Sequence, residues 1–276
     1  MTSGLKRIEV ASFAHPKYVP QMADAEAVIE GLKKQKNVTY IGLAMNERGV
    51  DRALKTDIDE IGLVAVATDI FAQKNQGQTR DSSVEMARAM IRRIRAEGRL
   101  VNVTIATSFG CPFEGETDPD VVVDMVRALA EAGPGEIALA DTIGVGNPWQ
   151  VTSLFQACQN VAPEVSFRAH FHNTRNTGLA NVYAAIKAGV TAIDVSIGGI
   201  GGCPFAPAAT GNVPAEDVVY MLERAGYKTE LNLPEIVKIS NWLSKKLDKT
   251  LPGMVSKAGL FPASIGLAAS KQDLEA

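Results

Sequence analysis

Residues 60–67, Glu60-Ile61-Gly62-Leu63-Val64-Ala65-Val66-Ala67, are almost unbrokenly apolar, without the polar alternation of a half-exposed strand. A strand of this kind is buried on both faces, as in a parallel sheet covered by helices. Working outward, similar short apolar or β-branched runs recur at Arg7 to Phe13, Thr39 to Ala44, Val101 to Ser108, Glu136 to Ala140, Ser166 to Phe171 and Ala192 to Ile197. Between them lie stretches of helical period: Met22 to Lys34, Ser83 to Glu97, Pro119 to Ala132, Trp149 to Val161, Gly178 to Ala188 and Ala215 to Ala225. Three of these run into Gly133, Gly189 and Gly226, as helices with left-handed C-caps do. Strands alternating with helices are the mark of βαβ units. No G-x-G-x-x-G follows the first strand, which argues against a dinucleotide-binding doubly wound sheet. The expected fold is an α/β (β/α)8 barrel, with seven strands where eight normally close the ring.

At 276 residues the chain has the length of one such barrel. Residues 1–250 are expected to form it, and residues 251–276, rich in Pro, Gly, Ser and Ala, a partly disordered extension. A net charge of −3 gives no broad positive field for nucleic acid or anionic lipid. Three cysteines, an odd and sparse set, imply a reducing compartment without disulfides. With no apolar run of about 18 residues and no signal peptide at Met1–Arg7, a cytoplasmic protein with no membrane partner is expected.

The sharpest chemical signal is Arg168-Ala169-His170-Phe171-His172-Asn173, where strand alternation puts both imidazoles on one face. They can be adjacent ligands of a divalent metal, or hydrogen-bonded histidines shaping a pocket. His15, the only other histidine, follows the first strand and reads as structural or substrate-lining. The run Gly198-Gly199-Ile200-Gly201-Gly202-Cys203-Pro204-Phe205 makes a rim loop able to close over a ligand. Cys203 within it is either a proton donor or acceptor, or a small buried residue. Asp141 ends a strand, where barrel enzymes keep catalytic groups, but Asp-Thr before Gly is also a turn cap. Glu9 is a carboxylate inside an apolar strand and must face a cation or the polar rim. Cys111 and Cys158 read as structural.

The chain resembles the hydroxymethylglutaryl-CoA lyase family from about residue 5 to about residue 245. The fragments that carry the likeness are Ile8-Glu9-Val10-Ala11-Ser12-Phe13, His15-Pro16-Lys17, Phe109-Gly110-Cys111-Pro112-Phe113-Glu114-Gly115, Ala140-Asp141-Thr142-Ile143-Gly144, Ala169-His170-Phe171-His172-Asn173, the loop Gly201–Asn212, and Glu216-Asp217-Val218. Phe205 stands where Tyr is usual, and Asn173 where Asp is frequent. The resemblance implies that His170, His172 and Asn212 bind Mg2+ or Mn2+, with Glu9 and Asp141 nearby and Cys203 on the mobile loop. It further implies cleavage of 3-hydroxy-3-methylglutaryl-CoA to acetyl-CoA and acetoacetate, a step of leucine and ketone-body catabolism. The partners expected are an acyl-CoA substrate and further copies of the chain.

The family's fourth ligand, an Asp after an Arg on the first barrel strand, has no counterpart here, in keeping with the count of seven. Weak metal affinity and little activity are therefore expected of the chain as written, with Met1 an internal residue of a longer protein. A related lyase for another hydroxyacyl-CoA, a truncated inactive paralogue and a metal-free scaffold are the alternatives.

Overall fold

The computed structural model describes residues 3–203 and 206–262. Seven parallel strands form one sheet: β1 (Arg7–Ser12), β2 (Thr39–Ala44), β3 (Glu60–Val66), β4 (Leu100–Ala106), then, past a small rim hairpin of β5 (Gly110–Cys111) and β6 (Gly115–Glu116), β7 (Glu136–Asp141), β8 (Ser166–Phe171) and β9 (Ala192–Asp194). The order β1-β2-β3-β4-β7-β8-β9 follows the chain, every neighbouring pair being parallel. A second hairpin, β10 (Gly202–Cys203) and β11 (Ala206–Thr210), rises beyond β9.

Side chains on the inner face show that the sheet curls. Arg7 on β1 holds Glu136 on β7 at 2.8 Å, although four strand spacings in a flat sheet would separate them by about 19 Å. Curling stops one strand short, and among the described residues nothing pairs with the free edges of β1 and β9. The fold is thus an α/β barrel lacking one unit, as the count of seven strand-like runs predicts.

Outside the sheet run α1 (Ala25–Glu30), α2 (Glu47–Leu54), α3 (Asp69–Gln76), α4 (Arg80–Ala96), α5 (Pro119–Ala130), α6 (Pro148–Val161), α7 (Gly178–Lys187), α8 (Ala215–Arg224), α9 (Leu233–Leu247) and α10 (Val255–Ala258). Their apolar faces pack on outward strand residues such as Ile61, Val103, Ile137 and Phe167 to make the main core. The helix expected from Met22 to Lys34 is only Ala25–Glu30, since Gly31 caps it and Lys34 turns back to bond Asp59 at 2.7 Å. The last strand ends at Asp194 rather than Ile197, because Ile197–Gly199 wind into a 3-10 turn with Gly198 left-handed. No helix among the described residues is long and apolar enough to cross a membrane.

The extension expected from residue 251 is docked over its first part. Asp217 accepts hydrogen bonds from the amides of Met254 (3.0 Å) and Val255 (2.7 Å), and Leu251 and Val255 are buried. Residues 263–276 lie outside the described part.

Candidate active site and metal centre

The inner face of the barrel is polar at its N-terminal end. Arg168 on β8 bonds Glu136 (2.8 Å), Asn102 on β4 (2.8 Å) and Asp194 on β9. Glu60 on β3 takes Arg7 (2.9 Å) and Asn102 (2.7 Å), closing a ring of charge-assisted bonds across the lumen. A cavity of about 230 Å3 opens there, lined by Arg7, Glu60, Glu136 and Ser166, at the opposite end from the histidines.

Since Arg168 points inward, alternation along β8 directs His170 and His172 inward too, toward the C-terminal rim. Their rings lie 5.4 Å apart between centroids. Nδ1 of His170 meets Asp194 Oδ2 at 3.0 Å, an arrangement that orients the ring and leaves its other nitrogen free for a ligand. Burial alone would raise the Asp194 carboxyl; the bond from His170 and the charge of Arg168 outweigh it and hold the group well below the usual carboxylate range.

His172 forms an antiparallel bridge with Asn212, flanked by Asn173 N to Gly211 O (3.1 Å) and Val213 N to Phe171 O (3.2 Å). In that pattern the two residues are a non-hydrogen-bonded pair, whose side chains stand close together on the same face. Asn212 Nδ2 donates to Ile200 O at 3.2 Å, which fixes the amide so that Oδ1 faces away from that carbonyl. His172 Nδ1 and Asn212 Oδ1 are both buried without a hydrogen-bond partner. Buried polar atoms left unpaired in this way are costly and mark a place where a partner belongs. Burial, with His170 adding to it, lowers His172 to about 4, so near neutrality the ring is an uncharged donor. Two imidazoles and a carboxamide thus lie near one another at the rim, and donors of this kind suit a divalent cation. Among the described residues no three His, Cys, Asp or Glu side chains are grouped to hold an ion, so the carboxamide is needed for a third donor.

Glu9 lies on the inner face of β1. Burial, then the neighbouring Asp194 carboxylate, push it up to about 7, while His170 and Arg168 pull the other way. Its side chain is nonetheless exposed, β1 being an edge strand of the sheet. Asp141 is placed differently. Five residues after inward Glu136, it has the parity of Ile137 and Leu139, which face the helices. Its carboxylate accepts the amides of Val145 and Gly146, both at 2.9 Å, and burial raises it against the pull of these bonds. Its own carbonyl accepts the amide of His172 at 3.3 Å, so Asp141 ties the rim turn and braces a histidine.

The side chain of Cys203 lies outside the described residues. His15 sits in the rim loop against Tyr18 and lines a cavity of about 250 Å3 with Phe13, Asn46 and Arg48. Cys111 is packed with Phe71 and Ala106, and burial pushes the Cys158 thiol up to about 12. Asp194 and Arg168 were not foreseen as site residues. The signal for Asp194 was there, a carboxylate within the apolar run Ile193-Asp194-Val195, the same anomaly that draws attention to Glu9.

The profile of the HMGL-like family matches residues 1–243. The chain belongs to the HMGL-like family. A hydroxymethylglutaryl-CoA lyase of Bacillus subtilis is 37% identical over 254 residues, which are 91% of this chain and 84% of the relative. An (R)-citramalyl-CoA lyase of Chloroflexus aurantiacus is 36% identical over an alignment of 280 positions that covers 97% of this chain and 88% of the relative. The structure of an HMG-CoA lyase from Acinetobacter baumannii, in complex with coenzyme A and 3-methylmalate, superposes with a TM-score of 0.90 at 37% identity, covering 94% of this chain and 85% of that one. This HMGL-like protein is accordingly a carbon–carbon lyase.

His172 and Glu9 predict how the protein responds to pH between 4 and 8. His172 stays neutral in the folded chain down to about 4, whereas the unfolded chain protonates it below about 6.5. Stability is expected to fall as pH drops through that window, by about 3 kcal/mol. Glu9 acts at the other end: its raised carboxyl stabilises the fold below 4.5, and that contribution disappears as pH rises through about 7. Urea denaturation from pH 4 to 8 should show His172→Gln flattening the acid limb and Glu9→Gln the neutral limb. An acid limb unchanged in His172→Gln refutes the assignment.

Proposed function

We propose that the chain cleaves 3-hydroxy-3-methylglutaryl-CoA to acetyl-CoA and acetoacetate, with His170, His172 and Asn212 holding Mg2+ or Mn2+. The observation that carries this reading is the pair of orphaned, buried donors His172 Nδ1 and Asn212 Oδ1, side by side next to His170. Divalent-metal dependence is general in the family. When bound, such an ion polarises a substrate oxygen and fixes its orientation.

The chain's own residues supply the rest. Asp194 keeps the free nitrogen of His170 aimed at the site. Glu9, on the inner face of β1 beside Asp194 and His170 and with its carboxyl raised above the usual range, takes the proton of the tertiary hydroxyl. As that O–H bond breaks, the carbon bearing it becomes a ketone carbonyl and its bond to the thioester α-carbon breaks, leaving the electron pair on the acetyl-CoA fragment. Cys203 then gives its thiol proton to that carbon. Asp141 serves through the rim turn and the amide of His172. Turnover is expected to be slow, because the gap between β1 and β9 admits water to the reacting groups. In the cell this is the reading of a cytoplasmic, homo-oligomeric enzyme of leucine breakdown.

A second substrate is favoured by one specific observation: the citramalyl-CoA lyase matches at 36% identity over 97% of the chain, level with the hydroxymethylglutaryl-CoA lyases. Turnover of both thioesters with added Mn2+ tests the choice. Faster, chelator-sensitive cleavage of the hydroxymethylglutaryl ester is expected. Preference for the citramalyl ester overturns the substrate, and cleavage indifferent to EDTA overturns the metal centre.

A further inference from the structure

Glu216 is the second residue of α8 and is fully buried, yet among the described residues it has no cationic partner. Its Oε2 accepts the amide of Gly198 at 2.9 Å and its Oε1 the hydroxyl of Ser240 on α9 at 2.8 Å. The N-terminal turn of α8 offers some compensation, but a buried carboxylate without a counter-charge remains costly. Its position indicates what the cost maintains. Gly198 and Gly199 are consecutive left-handed residues (φ 70° and 73°), a backbone with little stiffness of its own.

Beyond them, Ile200 O accepts both Ser196 Oγ (2.6 Å) and Asn212 Nδ2 (3.2 Å), and Gly201 O accepts Gly211 N (2.9 Å). The direction of Asn212 Oδ1 therefore depends on where the glycine turn puts Ile200 O. From the other side the 251–255 segment closes on the same turn: Gly253 N donates to Gly198 O at 3.0 Å, and a Cβ on Gly198 would lie 2.3 Å from Leu251. A Cβ on Gly253 would lie 2.2 Å from Glu216 itself.

We propose that Glu216 is a positioning residue: by pinning Gly198 between α8 and the 251–255 segment, it sets the glycine turn that aims Asn212 into the metal centre. This rests on the metal-centre reading above. Neighbouring Asp217 is the built-in comparison: it holds the amides of Met254 and Val255 and reaches the glycine turn only indirectly, through Gly253 of that segment.

Hydrogen exchange and Mn2+ titration calorimetry on the full chain test the proposal, comparing Glu216→Gln with Asp217→Asn. Glu216→Gln keeps the volume but either opposes an amide to the Gly198 N–H or, with its carboxamide turned about, holds that N–H by a neutral bond about half as strong as the charge-assisted one. It is expected to speed exchange at 198–202 and 211–213 at least tenfold, and to weaken Mn2+ binding at least tenfold. Asp217→Asn leaves both Glu216 bonds in place, so it should loosen 253–258, which reaches the turn only through Gly253, and weaken Mn2+ binding by no more than about twofold. If Glu216→Gln does not fold, Ser240→Ala, which removes one of the two bonds holding the carboxylate, is expected to show the same pattern at about threefold. Wild-type exchange at 198–202 in these variants overturns the proposal, as does an equal loss of Mn2+ affinity in Asp217→Asn. A wild-type chain that takes up no Mn2+ refutes the metal centre, while the exchange comparison still decides whether Glu216 sets the turn.

Discussion

Replacing Arg168 with Met is expected to destabilise the protein by about 3–5 kcal/mol, the cost of removing one partner from a buried charge network. Arg168 is buried and bonds Glu136, Asn102 and Asp194, on three different strands. Met fills much of the volume but leaves carboxylates facing a low-dielectric lumen. The consequence extends beyond stability, because Asp194 also orients His170. Chemical denaturation gives the first number, and the double variant Arg168→Met/Asp194→Asn should recover part of the loss, since Asp194 is the carboxylate left without an arginine, whereas Glu136 keeps Arg7. A loss below about 1 kcal/mol would show that water, entering through the open side, already solvates these carboxylates.

His172→Ala is expected to weaken divalent-metal binding by more than about a hundredfold, above the range seen when only an outer partner of a ligand is lost. Catalysis of the thioester should fall with it. The substitution also removes a buried ring whose nitrogen has no protein partner, so ion-free stability should change far less than in Arg168→Met. The contrast separates a side chain kept for ligation from one kept for structure. Calorimetry with Mn2+ and denaturation of the same preparations read both quantities, and unaltered Mn2+ affinity in His172→Ala would end the metal-centre reading.

Much of the barrel is legible in the sequence because its signals are local. A strand buried on both faces must be apolar along its length, as Ile61 to Ala67 are, and seven such runs separated by helices leave few topologies. Helices α2 and α9 escape the same reading. The first is short and carries Gly49 amid charged residues, and the second follows a loop past the last recognised unit. Alternation likewise places His170 and His172 on one face, and Arg168 with them, although a lone arginine in a strand does not reveal its three partners. For Asp141 the position at a strand end is readable, but its direction follows only once Glu136 is known to point inward.

The sequence by itself determined the parallel α/β architecture, the missing unit and the shared face of the two histidines, because each follows from periodicities of two and about 3.6 along the chain. Only the tertiary structure decided that Asn212 stands beside His172, that Asp194 orients His170, and that Glu216 reaches Gly198. These contacts join residues 18 to 40 positions apart, and such pairings are set by how the sheet curls and the rim loops cross, which no local pattern records.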